Sequence, residues 1–188
     1  MNVYDFDDTI YDGDCTFDFV KESLKRPACA FSMLFRCWSV IPFMLHIWDK
    51  TRFKSYFFAF LKHFKNIDQF LVDFTKRNQH KIKPFYLNQQ KQDDVIISAS
   101  PYFLVKGFCQ NLGIQSIYGT DMNPYTGEIK GENCKGEAKV TLFKEEFKNQ
   151  PIDCFYSDSK SDSPLARLAH NAFLVSGEKI EDWPKEWL

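Results

Sequence analysis

Val3-Tyr4-Asp5-Phe6-Asp7-Asp8-Thr9 opens the chain and decides how the rest is read. Val3 and Tyr4 have strand character, and two carboxylates follow them two residues apart. Side chains alternate faces along a strand, so the turn after it must re-aim Asp7 toward Asp5. Thr9 is placed to hydrogen-bond that turn. A hard cation such as Mg²⁺ takes oxygen ligands and keeps several waters, so one or two protein carboxylates suffice to hold it. A carboxylate can also attack phosphorus and carry the group covalently. An acidic, solvated turn would read the same way, so the residues downstream must decide.

They form an ordered series. Val95-Ile96-Ile97 is a continuous apolar run, the mark of a parallel strand covered on both faces. Ser98 and Ala99 fall at its carboxyl end, where open α/β sheets bind ligands and where a hydroxyl and backbone N–H groups suit a phosphate oxygen. Asn133-Cys134-Lys135-Gly136-Glu137-Ala138-Lys139 opens a helix predicted to run to about Lys148, and a lysine at a helix start brings a point charge to an anion. Either Lys135 or Lys139 satisfies that spacing. Ile152 to Tyr156 reads as another strand, followed by Ser157-Asp158-Ser159-Lys160-Ser161-Asp162, a second acidic pair just past a strand end.

This order of motifs resembles the haloacid dehalogenase-like phosphohydrolases, most of all their phosphoserine-phosphatase-like branch, which carries a helical cap after the first motif. The resemblance spans nearly the whole chain. It implies an α/β fold with a Rossmann-like parallel sheet core in residues 1–14 and 92–188 and an inserted α-helical cap in 15–91. It implies Mg²⁺ as cofactor, Asp5 as nucleophile and Asp7 as general acid, then base. Ser98 and Ala99 would bind the phosphoryl group, and Lys135 or Lys139 would neutralise it. Asp158 would ligate the metal beside Asp5 and the Asp7 carbonyl, with Thr9 and Asp162 in support. Two positions depart from the family pattern: Asp8 and Ser157 stand where glycine is common, and Asp8 is expected to face solvent.

Charge divides the chain in the same way. Residues 15–91 hold 14 Lys+Arg against 5 Asp+Glu, whereas the remainder holds 10 against 20. An acidic core suits a cation site, and a basic insert suits an anionic substrate or surface. Asp14 could meet a substrate amine or serve as a turn acid; Arg36, Arg52 and Lys54 could grip a second anionic group or face water.

The insert reads as helices. Phe17, Val20 and Leu24 share a face, Arg26-Pro27 is a stop, and runs follow over 28–48, 51–64 and 68–81, with Pro84 beginning or interrupting the last element. Seventeen of the 32 aromatics lie in 15–91, which points to a bundle core. The 28–48 run is nearly long enough to span a bilayer, but Arg36 and Pro42 weaken that reading. Buried cap helix, interfacial hairpin and membrane span all stay open, the second supported by the flanks Lys25-Arg26 and Lys50-Arg52-Lys54. The cap also resembles that of the phosphatidylglycerophosphate phosphatases of the same branch.

The cysteines at 15, 29, 37, 109, 134 and 154 form no C-x-x-C pair and no zinc spacing. With no secretory signal in the opening residues, the expected setting is reducing and cytoplasmic, with contact at the inner face of the membrane left open. After the insert, helices at 101–110 and 164–169 and strands at 114–118 and 172–175 are expected. The function expected is an Mg²⁺-dependent phosphomonoesterase acting through an aspartyl-phosphate on a small or amphipathic substrate. The alternatives are a lipid-headgroup phosphatase at the membrane surface, a phosphotransferase, and a catalytically silent membrane-binding module. No nucleic acid and no obligate protein partner is expected.

Overall fold

The computed structural model describes residues 1–148 and 150–188; the side chain of Lys50, one of the flanking bases named above, lies outside the described set. Six strands form one sheet in the order β3-β2-β1-β4-β5-β6: β1 (Asn2–Tyr4), β2 (Val95–Pro101), β3 (Ser116–Thr120), β4 (Ile152–Ser157), β5 (Ala169–Ser176) and β6 (Lys179–Asp182). All neighbours are parallel except the β5–β6 hairpin. The chain leaves β1 toward β2 and β3 on one side and later returns to β4 and β5 on the other. That reversal between β1 and β4 is where such sheets leave a crevice beyond their carboxyl ends.

Alternation along each strand separates two apolar layers. Val3, Val95, Ile97 and Phe155 pack on one face with Leu165 and Trp183. Tyr4, Ile96 and Tyr156 face the other way, into a larger core with Phe6 and Phe108. Helices α7 (Tyr102–Asn111), α8 (Glu137–Phe147) and the short α9 (Ser163–Ala166) supply the crossovers and covering layers.

The segment between β1 and β2 is helical, as expected: α1 (Cys15–Ser23), α2 (Pro27–Arg36), α3 (Val40–Met44), α4 (Lys50–Phe58), α5 (Ile67–Asn78) and α6 (Pro84–Gln89). Asp14, Asp49 and Asn66 cap α1, α4 and α5 by accepting a first-turn N–H, and Pro27 and Pro84 sit in the first turns of α2 and α6. Aromatic packing holds part of this segment to the core. Phe19 meets Phe70, Phe74 and Phe103 edge to face, at 5.6, 5.6 and 6.0 Å between ring centres. Loop 121–136 braces α4 from outside. Ile129 N–H donates to Ser55 Oγ at 3.1 Å, and Gly127 (φ +76°) lies so close that a Cβ there would overlap the Phe58 carbonyl.

Three expectations are corrected. The single helix over 28–48 is broken: α2 gives way to a 3₁₀ turn (Cys37–Ser39), then five-residue α3, and the chain turns at His46 (φ 59°). Pro42 has no N–H for the helix ladder and its ring crowds the carbonyl four residues back, which disfavours an unbroken α-helix there. Nor is this stretch buried. Pro27–Met44 is long and apolar enough to cross a membrane by length and composition, yet only 22% of it is inside the fold. Phe31, Leu34, Phe35, Trp38, Ile41, Met44, Leu45 and Ile47 are all exposed. Third, the last sheet element is not 172–175 alone but a hairpin, whose β6 is exposed along its whole length.

Candidate active site

The geometry follows from the register of β1 and β4. Tyr4 is opposite Tyr156, and Asp5 N–H donates to the Tyr156 carbonyl at 2.9 Å. Asp5 therefore leaves β1 level with the end of β4, and Asp158 begins the neighbouring loop. Thr9 Oγ1 accepts the Asp158 N–H at 3.0 Å, locking the two loops together. The first loop is tight: Asp8 N–H donates to the Gly13 carbonyl at 2.9 Å, and Asp8 itself has φ 52°. That conformation accounts for the family's frequent glycine there, since Asp is among the few other residues that tolerate it. Asp8 is exposed, as expected.

Asp5, Asp7, Asp158 and Asp162 line one cavity of about 420 Å³ with Lys54, Ala99, Ser100, Asn133, Lys135 and Lys139. Lys139 is the lysine brought to Asp5. It sits in the first turn of α8, where long side chains lean back toward the helix N-terminus, and its Nζ donates to Asp5 Oδ1 at 2.6 Å and Asp162 Oδ2 at 2.7 Å. Lys139 is 2% exposed, whereas Lys135 is exposed at the cavity rim. Ser157 does more than replace a glycine: its hydroxyl donates to Asp162 Oδ2 at 2.8 Å and accepts the Ser159 N–H at 3.1 Å.

Asp7 is held from two sides. The Cys15 N–H donates to its Oδ1 at 2.7 Å, and the Ser100 hydroxyl donates to its Oδ2. Thr16 Oγ1 lies 2.7 Å from Ser100 Oγ. Ser98 does not line the cavity; it is buried one layer below, and its Oγ accepts the Ser100 N–H at 3.0 Å. Ala99 and Ser100 form the wall instead.

Burial dominates the electrostatics. It pushes the Asp7 carboxyl up to about 6, against the Ser100 hydrogen bond. Burial, then Asp5 and Asp8, push Asp158 up to about 7. Asp5 is also raised by burial, with Lys139 pulling the other way and Asp162 adding to the rise. Burial alone would lower the Lys139 ammonium, but Asp5 and Asp162 outweigh it and hold the charge on. One ammonium thus serves several crowded acids.

A cation would relieve the rest. Among the described residues no group of three or more His, Cys, Asp or Glu side chains is disposed to hold a metal. The donor set needed here is smaller: Asp5 and Asp158 with the Asp7 carbonyl, the remainder being water. The residues present fit that set: Asp5 and Asp158 line one cavity, and Asp158 is pushed up first by burial and then by Asp5 and Asp8, a crowding that a cation would relieve.

The insert contributes differently from expectation. Asp14 caps α1 through the Phe17 N–H at 2.8 Å, the turn role, while also lining the cavity. Arg36 and Arg52, left open between gripping a second anionic group and facing water, do not line the cavity. Arg36 donates to the Tyr56 carbonyl at 2.9 Å beside a separate hollow, and Arg52 lies 4.9 Å from the centre of the Trp48 ring. Both short-circuit onto aromatics of their own segment. Lys54 does reach it, donating to Asn133 Oδ1 at 2.6 Å and the Ala99 carbonyl at 3.2 Å. Phe43 and Phe53, stacked at 4.7 Å, complete the wall. Reading by motif missed Ser100, Thr16 and the two phenylalanines. Only Ser100 left a signal, as the second hydroxyl of Ser98-Ala99-Ser100.

Comparison with known proteins agrees with this arrangement. The chain is similar over 111 residues, at 29% identity, to a histidinol-phosphatase of Neisseria meningitidis serogroup C (strain 8013); the match covers 49% of this chain and 50% of that protein. In fold it is similar to a protein of unknown function from Bordetella pertussis Tohama I (TM-score 0.67, 15% identity, 92% and 87% of the two chains). It is also similar to a phosphoserine phosphohydrolase-like protein from Francisella tularensis subsp. tularensis SCHU S4 (TM-score 0.55, 16% identity, 92% and 86%). The family model for the haloacid dehalogenase-like hydrolases matches residues 3–167, and the chain belongs to that family.

Proposed function

We propose that this hydrolase is an Mg²⁺-dependent phosphomonoesterase that works through an aspartyl-phosphate on Asp5. The observation that carries the reading is the buried Asp5–Lys139–Asp162 bridge at the floor of a cavity that also holds Asp7. Lys139 neutralises Asp5, so an anionic phosphoryl group can approach it. A carboxylate oxygen of Asp5 forms a bond to phosphorus as the bond to the leaving oxygen breaks. Asp7, whose carboxyl is raised to about 6, gives its proton to that oxygen. Asp7 then takes a proton from water, which attacks phosphorus and returns the Asp5 carboxylate with release of phosphate. The Ser100 hydroxyl and Cys15 N–H keep the Asp7 carboxyl aimed throughout. Mg²⁺, held by Asp5, Asp158 and the Asp7 carbonyl, would supply charge neutralisation to the transferring oxygens. Ala99 and Ser100 form the wall beside them.

The histidinol-phosphatase named above supports a phosphomonoester as the substrate class. The stacked Phe43 and Phe53 favour a leaving group with an apolar part over a fully polar one. Six free thiols support a reducing, cytoplasmic setting. The test is phosphate release with and without Mg²⁺ from a panel of soluble phosphomonoesters and a lipid phosphomonoester in detergent, with Asp5→Asn alongside. Mg²⁺-dependent release lost in Asp5→Asn is the expected result; release that survives the substitution refutes the nucleophile.

A further inference from the structure

α3 is five residues long and has two occupied sides. Inward, Phe43 stacks on Phe53 in the wall of the phosphate cavity. Outward, Ile41 and Met44 are 61% and 71% exposed, continuing into Leu34 and Trp38 before them and Leu45 and Ile47 after. These side chains protrude from a bent helical tip. Residues 24–67 hold eight Lys+Arg against one acid, Asp49, whose carboxylate is engaged as the cap of α4; Lys25, Arg26, Arg52, Lys62 and Lys65 are exposed, whereas Lys54 turns into the cavity.

We propose that this tip docks on an anionic lipid bilayer, with the cavity opening beside the docked face. The first half rests on the exposed surface alone. The second, that an amphipathic phosphomonoester reaches Asp5 from the lipid surface past Phe43, rests on the phosphatase reading. Protruding apolar chains need no complementary pockets in a lipid interface, and a basic surround matches an anionic one. A second copy of the chain fits poorly. A two-fold contact puts the same patch on both sides, so the basic surround would face itself. Spanning is disfavoured by the break in the segment: Pro27–Met44 has the length and composition of a span, but α2 ends after 10 residues, about 15 Å of helix against a hydrocarbon core of about 30 Å, and gives way to the 3₁₀ turn Cys37–Ser39. Arg36 also stays with the protein, on the Tyr56 carbonyl. Trp38 and Trp48, 5.8 Å apart, are the amphipathic rings that favour the headgroup level.

The experiment is co-sedimentation of the full chain with vesicles of phosphatidylcholine, alone or mixed with phosphatidylglycerol, at low and high salt. Binding to the mixed vesicles is expected, falling about tenfold in high salt or without the anionic lipid. The pair Ile41→Asp/Leu45→Asp should abolish it, leaving the far-ultraviolet circular dichroism and release of phosphate from p-nitrophenyl phosphate unchanged. Tryptophan emission of the unmutated chain, expected to shift blue on adding mixed vesicles, reads docking without any variant. No sedimentation at low salt, equal binding to neutral vesicles, or binding that survives the pair overturns the proposal. So does a dimer in the absence of lipid that the pair dissolves, which would assign the tip to a second copy. Vesicle binding is read without turnover, so docking by a chain that releases no phosphate would sustain the docking and refute only the phosphatase reading.

Discussion

Lys139 is charged and 2% exposed; Met44 is apolar and 71% exposed, on the helical segment that walls the same cavity. Residue hydropathy alone would place them the other way round. The difference lies in what compensates each. A buried ammonium is tolerable because Asp5 and Asp162 accept from it within 2.7 Å. Among the described residues nothing covers the exposed thioether, and its neighbours Ile41, Leu45 and Ile47 share its condition. The phosphate end of the molecule is over-determined by internal contacts, and the α2–α3 tip is under-determined.

The largest effect that could break this contrast lies at the over-determined end. Asp7→Asn should slow turnover by ~10²–10⁴, because the amide keeps the size and shape of the carboxyl but cannot act as acid or base; an unchanged kcat would remove Asp7 from the chemistry. Lys139→Met should destabilise the metal-free protein by about 3–5 kcal/mol, since it leaves two buried carboxylates without their counter-charge. Urea unfolding measures this, and a cost near zero would mean that the bridge is slack.

The acids supply a pH signature. An acid raised on folding disfavours the folded state once ionised. The penalty from Asp7 and Asp158 is therefore absent below the ordinary value of 3.8, grows through about 6 and 7, and is complete above. The metal-free protein should melt at a lower temperature at pH 8 than at pH 5, other titrations being matched with Asp158→Asn. Mg²⁺ should recover more of the loss at pH 8; equal Mg²⁺ shifts at both pH values would count against a carboxylate site.

The smallest effect belongs to the tip. Ile41→Asp should change stability by no more than about 0.5 kcal/mol, although it replaces an apolar residue with a charge. Phe19→Ala, in the buried part of the same segment, should cost about 3–5 kcal/mol. Similar costs for the two would show that the tip is packed in solution.

How much of this was legible in advance follows the same contrast. The acids of the first and last motifs were readable because strand ends place them by register, and β1 and β4 are neighbours whose ends coincide. The choice between Lys135 and Lys139 was not. It depends on how side chains lean at the first turn of α8, and spacing does not carry that direction. Ser100 escaped because its partner, Asp7, is 93 residues away. Strand β6 escaped because buried and exposed positions do not alternate there: Lys179, Ile180, Glu181 and Asp182 are all exposed, so no buried face imprints a period of two. The broken α2–α3 run reads as one helix in the sequence because continuous hydropathy hides where the ladder of backbone bonds changes.

Gly127 ties these observations to the position of Lys54. Its bare Cα is what allows loop 121–136 to lie against the end of α4 at Phe58, and Lys54 is one turn back along that helix. Anything larger at residue 127 would act as a shim. It would tilt α4 and change the reach of the lysine that touches Ala99, without altering any residue in the cavity. The depth of the site is thus gauged from behind, by a position that never meets what the site holds.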